Sequence, residues 1–173
     1  MLISRESSNT SKWTFDVVAI QKLLCKYVPS HGLGWVDPFA GKNIITEHHN
    51  NLSTSGIDAL DYMKTFLSCS LDGAIFDPPY SMEQVSRSYK SVGINDWQSR
   101  FSNLNGGFPK VKDEIARTLK PNGIAICFGW NSCGLSPSRG FQNIEILLVC
   151  HGGNHHDTIV TVEKKIPSVF DPK

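Results

Sequence analysis

Gly73-Ala74-Ile75-Phe76-Asp77-Pro78-Pro79-Tyr80 is an apolar run that stops at an acidic residue and a double proline. Such a run, bounded by a turn signal, reads as a buried strand from Ala74 to Phe76; the prolines end it because they lack the N–H that a strand ladder needs. The residues that follow have a definite chemical use. A planar amine conjugated to a ring is a poor nucleophile. An Asp carboxylate and the carbonyl of the next residue, each accepting one N–H, hold such a nitrogen toward tetrahedral geometry with its lone pair free. Pro78 and Pro79 fix φ and leave nearby carbonyl groups unengaged, and Tyr80 offers a flat face for a ring. Taken alone, the four residues fit an ordinary Pro-Pro turn equally well.

A second run of the same construction lies upstream: Gly34-Trp35-Val36-Asp37-Pro38-Phe39-Ala40-Gly41. In an open α/β sheet, ligands bind outside the carboxyl ends of the strands, where the chain needs Gly or Ala as it closes on the ligand. Asp37 at this place suits an ammonium group rather than a phosphate. DPFAG and DPPY, in that order and about 40 residues apart, together resemble the S-adenosylmethionine-dependent amino-methyltransferases. The similarity is greatest to the adenine-N6 DNA methyltransferases of the DPPY type, in a compact form reminiscent of phage or prophage enzymes. The motifs cover Asp37 to Gly41 and Asp77 to Tyr80, and the general layout fits residues 12–165.

The resemblance implies an α/β fold: a single Rossmann-like methyltransferase domain with a mixed, mostly parallel sheet of order 3-2-1-4-5-7-6, strand 7 antiparallel. It implies S-adenosylmethionine as cofactor, contacted by Asp37, Pro38, Phe39, Ala40 and Gly41, by Asp58 and Ala59, and by an N-terminal segment at Trp13, Thr14 and Phe15. Catalysis falls to Asp77, Pro78, Pro79 and Tyr80, with no metal required. The implied reaction is methyl transfer to N6 of adenine in DNA, in the cytoplasm of a bacterial or phage-infected cell. RNA adenine-N6 transfer, DNA cytosine-N4 transfer and an inactive cofactor-binding partner subunit are the alternatives. Asp58 also suits a helix N-cap. No acidic residue marks the cofactor ribose site, for which Glu47, Asn50 and Asn51 are the candidates.

The 173 residues are 40% hydrophobic with a formal charge of +1, which suits one soluble domain with a real core. No apolar run approaches the ~18 residues of a membrane span, and the first residues are polar. Five cysteines, Cys25, Cys69, Cys127, Cys133 and Cys150, form no CxxC pair and read as reduced thiols. Basic charge is local, with five basic against two acidic residues between 81 and 112. That stretch, with Arg87, Tyr89, Lys90 and Arg100 and the aromatic Trp97 and Phe101, is the candidate grip on a nucleic acid strand. Trp130, Asn131 and His155 join it from the turns after later strands. The chain is short for a separate recognition domain, so a degenerate target, a homodimer partner or the 81–108 loop must account for sequence reading.

Residues 1–11, rich in Ser and Asn, read as a flexible N-terminus, residues 12–165 as the domain and 166–173 as a tail. Helices are expected at Asp16–Val28, Ala59–Leu67 (with Leu60, Met63 and Leu67 inward) and Lys110–Leu119. Lys120 to Gly123 reads as a turn before a strand at Ile124–Phe128, and two further strands are expected at Ile144–Cys150 and Thr158–Glu163. The space between the two motifs is too short for two full crossovers, so one is reduced. Ile44 to Thr46 is left open between a stunted helix and a short strand.

Overall fold

The computed structural model describes residues 1–42, 44–98, 108–153 and 155–167. Seven strands form one sheet: β1 (Leu2–Ser7), β2 (Trp35–Asp37), β3 (His48–His49), β4 (Leu71–Phe76), β5 (Leu119–Gly129), β6 (Phe141–Cys150) and β7 (Thr158–Lys165). Their spatial order is β1-β6-β7-β5-β4-β2-β3. β7 runs antiparallel to β5 and β6, and all other pairings are parallel. This is the α/β, Rossmann-like methyltransferase arrangement. From β3 to β6 it follows the expected succession 2-1-4-5-7-6. The expected third strand has no counterpart among the described residues, because residues 38–70 hold only β3 and two short helices, α2 (Leu52–Ser55) and α3 (Ala59–Met63). The seventh strand is supplied at the opposite edge by β1.

β1 corrects the reading of residues 1–11 as flexible. Its side chains are mostly exposed, so no hydrophobic pattern announces it. It is held by backbone pairing to β6, from Leu2 opposite Glu145 to Ser7 opposite Cys150. Ile44 to Thr46 forms neither a helix nor a strand; the short strand lies beyond it, with His48 opposite Val36.

Alternation along the central strands sorts the core into two layers. Val36, Ala74, Phe76, Ala125 and Cys127 face one side. There they meet Met63 of α3, Val85 and Tyr89 of α4 (Met82–Lys90), and Val111 and Ile115 of α5 (Pro109–Thr118). Trp35, Ile75, Ile126 and Phe128 face the other side, against Ile20, Leu23 and Leu24 of α1 (Val18–Tyr27). Gly73 lies opposite Trp35 in the ladder, where any Cβ would run into the indole.

Three boundaries differ from expectation. α1 begins at Val18, preceded by a 3-10 turn at Thr14–Asp16. α3 stops at Met63, so Leu67, expected inward, is 78% exposed. Lys120 to Gly123 does not precede the strand but bulges within it: Leu119 already pairs with Leu71, and pairing resumes at Ile124 with Gly73. Among the described residues no helix is long and apolar enough to cross a membrane.

Candidate active site

β2 and β4 are parallel neighbours, so the turns that leave their carboxyl ends lie side by side. Phe76 ends β4 in the core, and the two prolines carry the chain away from the ladder. Ser81 then caps α4, accepting the Gln84 N–H at 3.2 Å, while Gln84 Oε1 accepts the Tyr80 N–H at 2.6 Å. This S-x-x-Q exchange, a signal present in the sequence, fixes the motif to the start of the helix. On the β2 side, Phe39 packs edge-on against Phe76 (5.6 Å) and Phe108 (5.0 Å), tying the two motifs together.

Two cavities flank the motif. The larger, about 520 Å³, is lined by Pro38 to Gly41, by Asp58 and Ala59, by Trp13 and Thr14, and by Asp77 to Tyr80. The smaller, about 310 Å³, is lined on one side by Pro78, Pro79, Tyr80 and Phe108 and on the other by Trp130, Asn131 and Cys127. Pro78, Pro79, Tyr80 and Phe108 line both, so the motif is a shared wall. Both volumes lie in the range of small-molecule sites.

The electrostatics centre on two carboxylates. Asp77 accepts a hydrogen bond from the Tyr80 hydroxyl, and the Thr14 side chain bonds it as well. Burial pushes the Asp77 carboxyl up to about 6, against the opposing pull of those two bonds. Burial, with the neighbouring Asp77 charge, holds the Tyr80 phenol well above its usual value. Asp37 is 2% exposed, and its Oδ1 accepts the Phe39 N–H at 2.9 Å. Burial, with a smaller contribution from Asp77, pushes its carboxyl up to about 8.

Not all candidate residues reach the cavities. Asp37 is not among the residues lining the larger one and instead turns the DPFAG loop from beneath. Phe15 is a core residue on Phe128, with ring centroids 5.5 Å apart. Asp58 sits at the start of α3, where its side chain makes no cap bond; it accepts the Tyr89 hydroxyl at 2.6 Å. That contact corrects the placing of Tyr89 in a nucleic-acid grip, since the ring is 5% exposed. Trp97 is buried too. Arg87 and Lys90 are exposed on α4, Arg87 paired with Glu83 at 2.7 Å. Arg100 and Phe101 lie outside the described residues.

At the turn after β6, His155 is exposed, and it is His156 that stacks on Trp130, at 4.4 Å. Trp130 in turn meets Tyr80 at 5.8 Å. His151 bonds Ser8 and Thr158. Among the described residues no cluster of His, Cys, Asp or Glu is arranged to hold a metal ion. Of the ribose candidates, Asn50 and Asn51 line the larger cavity, whereas Glu47 accepts the Gly34 N–H at 2.7 Å away from it. Asn50 is already committed to the Ile57 carbonyl (3.0 Å) and Ser55 (2.7 Å).

Sequence reasoning missed Gln84, Phe108 and Lys112. Phe108 takes φ 54 just before α5, an uncommon backbone state for a bulky residue that no local pattern signals. Lys112, counted only toward basic charge, lines the smaller cavity.

No protein-family model matches the chain, and no curated protein matches its sequence. Solved structures do. TrmN from Thermus thermophilus superposes with a TM-score of 0.51 at 17% identity, over 87% of this chain and 49% of TrmN. TTHA0409 from the same organism, provisionally assigned as a DNA modification methylase, gives 0.41 at 15% identity, over 68% and 55%. SMU.1697c from Streptococcus mutans, a provisionally assigned methyltransferase in complex with SAH, gives 0.37 at 10% identity, over 95% and 86%. The chain thus spans about half the length of the first two proteins. The fold is that of the S-adenosylmethionine-dependent methyltransferases.

Proposed function

We propose that this protein transfers a methyl group from S-adenosylmethionine to N6 of adenine in DNA, with short or degenerate sequence specificity. The observation that carries this reading is the shared wall: Asp77 faces the larger cavity, while Pro78, Pro79 and Tyr80 border both. The residues of the larger cavity fit a zwitterionic cofactor that also carries a cationic sulfur, since carboxylates Asp58 and Asp77 line it together with Lys12 and Arg87, and a third carboxylate, Asp37, lies beneath its loop. A cationic ligand relieves the charge that burial there penalises. Pro38 to Gly41, Trp13, Thr14, Asp58 and Ala59 would hold it. When bound, the cofactor supplies a methyl group on a positively charged sulfur.

The chain's own residues then act on the amine. A base turned out of its stack enters the smaller cavity among Tyr80, Phe108 and Trp130, where stacking offsets the few kcal/mol lost on unstacking. Asp77 accepts one N–H of the amino group; it already holds Tyr80 and Thr14, and a carboxylate has about four lone-pair sites. The Pro78 carbonyl accepts the other. Lys90, exposed on α4, would contact phosphates, and Arg87, which also borders the larger cavity, would join it.

The test is chromatography of nucleosides from DNA and RNA after reaction with radiolabelled cofactor, with Asp77→Ala as the control. Label in N6-methyladenine of DNA, lost in the control, is expected. N4-methylcytosine as the main product, or labelled RNA with unlabelled DNA, would overturn the substrate assignment.

A further inference from the structure

One cation of the smaller cavity has no part in the chemistry above. Lys112 follows the buried Val111 on α5, and its side chain runs along the cavity wall beside Phe76, Cys127 and Gly134. Its ammonium stands 5.3 Å from the centre of the Phe76 ring. It donates to the Gly134 carbonyl at 2.6 Å. Among the described residues its hydrogen-bond partner is this carbonyl rather than a carboxylate.

The carbonyl is itself held in place. Glu163 of β7 is 1% exposed, and its two oxygens accept the Leu135 N–H at 2.5 Å and the Ser136 N–H at 3.1 Å. Gly134 takes φ +48 against the same carboxylate, where a Cβ would collide with it. The buried Glu163 thus pins the 134–136 loop, and the loop pins the ammonium. An ammonium has three donors, and one is used among the described residues. The others are available to a ligand in a cavity walled by aromatic rings.

Resting on the reading of this cavity as the target-base site, we infer that Lys112 is a specificity residue that donates a hydrogen bond to a ring nitrogen of the target adenine. The amino group of adenine is flanked on both sides by ring acceptors, N1 and N7. With the amine fixed at Asp77 and Pro78, a donor on either side of it meets an acceptor. The amino groups of guanine and cytosine each have a ring acceptor, N3, on one side only, with N1–H or C5–H on the other, so a donor fixed on that other side meets a second donor or loses its partner. A site built to donate rejects a base that lacks the acceptor far more strongly than shape alone does.

The test is a double-mutant cycle across protein and substrate. Once a methylated position is mapped, the duplex is synthesised with adenine, 1-deazaadenine or 7-deazaadenine at that position. kcat/KM is measured for the wild type, Lys112→Met and Lys112→Gln, and cofactor affinity reports on folding. Wild type should lose about tenfold or more on one of the two analogues. Lys112→Met should lose a similar factor on adenine and nothing further on that same analogue, while still losing on the other whatever the wild type loses. Lys112→Gln, which keeps an N–H, should fall between them and serves alone if the Met variant does not fold. Equal losses by the variants on all three substrates, or no loss on adenine, would overturn the inference with the substrate reading intact. A wild type that makes no N6-methyladenine at all would overturn both.

Discussion

Replacing Tyr80 by Phe separates two roles that one side chain combines. The ring, which borders both cavities and meets Trp130, is kept. The hydroxyl, which donates to Asp77, is lost. That bond favours the ionised carboxylate, so its removal leaves burial less opposed and raises the Asp77 pKa from about 6. A hydrogen bond to a charged group is worth about 1.5 to 3 kcal/mol, which corresponds to roughly one to two pH units. Asp77 is much the stronger acceptor for the substrate amine when ionised, so activity rises with pH through its pKa. The ascending limb of kcat/KM for DNA should therefore lie about one to two pH units higher in Tyr80→Phe than in the wild type, measured by radiolabel transfer from pH 5 to 9. At pH 7 the variant should be several-fold slower; above pH 9 it should approach the wild type. A limb that stays in place while activity falls equally at every pH would refute the coupling and leave Tyr80 a stacking residue only.

Asp37→Asn should weaken S-adenosylmethionine binding severalfold in calorimetry, because the Asp37 carboxylate lies beneath the cavity loop and favours the positively charged ligand without touching it; unchanged affinity would make the DPFAG Asp structural. The same variant has a signed effect on cofactor-free stability. A carboxyl raised to about 8 contributes stability that is present below the unfolded value near 4 and is lost as pH rises through 8. Wild-type Tm should thus fall from pH 6 to 9 more than that of Asp37→Asn, which keeps a neutral side chain throughout; parallel curves would contradict the shift. Gly73→Ala should cost about 1 to 3 kcal/mol by overpacking against Trp35, lowering Tm by about 2 to 10 °C in a thermal melt. A Tm unchanged within a degree would show that the indole moves aside.

The parts of this structure that were legible in the sequence are those in which one short run carries all the information. Ala74 to Phe76 and Ile124 to Phe128 are continuous apolar runs, and buried parallel strands read that way. The double proline marks where β4 must end. The hidden parts depend on residues distant in the chain. β1 is exposed at nearly every position and becomes a strand only because β6 offers an unpaired edge. His48–His49 has no strand signal of its own and pairs because β2 is already in place. Tyr89 was readable in principle, since Val85 and Tyr89 stand one helical turn apart on a buried face. The aromatic and basic residues around it outweighed that spacing. Lys112 was not readable, because nothing local distinguishes a lysine over a cavity from one in solvent.

Asp77 and Asp37 lie close enough that the charge of the first raises the pKa of the second. Asp77 also lines the larger cavity directly. A cation in that cavity stabilises the ionised form of Asp77, so cofactor binding and readiness to accept the amine are one linked equilibrium. S-adenosylhomocysteine supplies the control, because it keeps the ammonium group and lacks the positive charge on sulfur. If the sulfur lies on the Asp77 side of the cavity, S-adenosylmethionine should lower the Asp77 pKa from about 6 by more than S-adenosylhomocysteine does. At an effective dielectric constant near 20 and a separation of 5 to 6 Å, the extra charge is worth about 3 kcal/mol before screening by solvent, so a difference of at least one pH unit is expected. Carboxyl carbon chemical shifts of Asp77, followed against pH in the free protein and in both complexes, measure it directly. Equal displacement by the two ligands would mean that the sulfur sits away from Asp77, and the shared wall could not then bring methyl group and amine together.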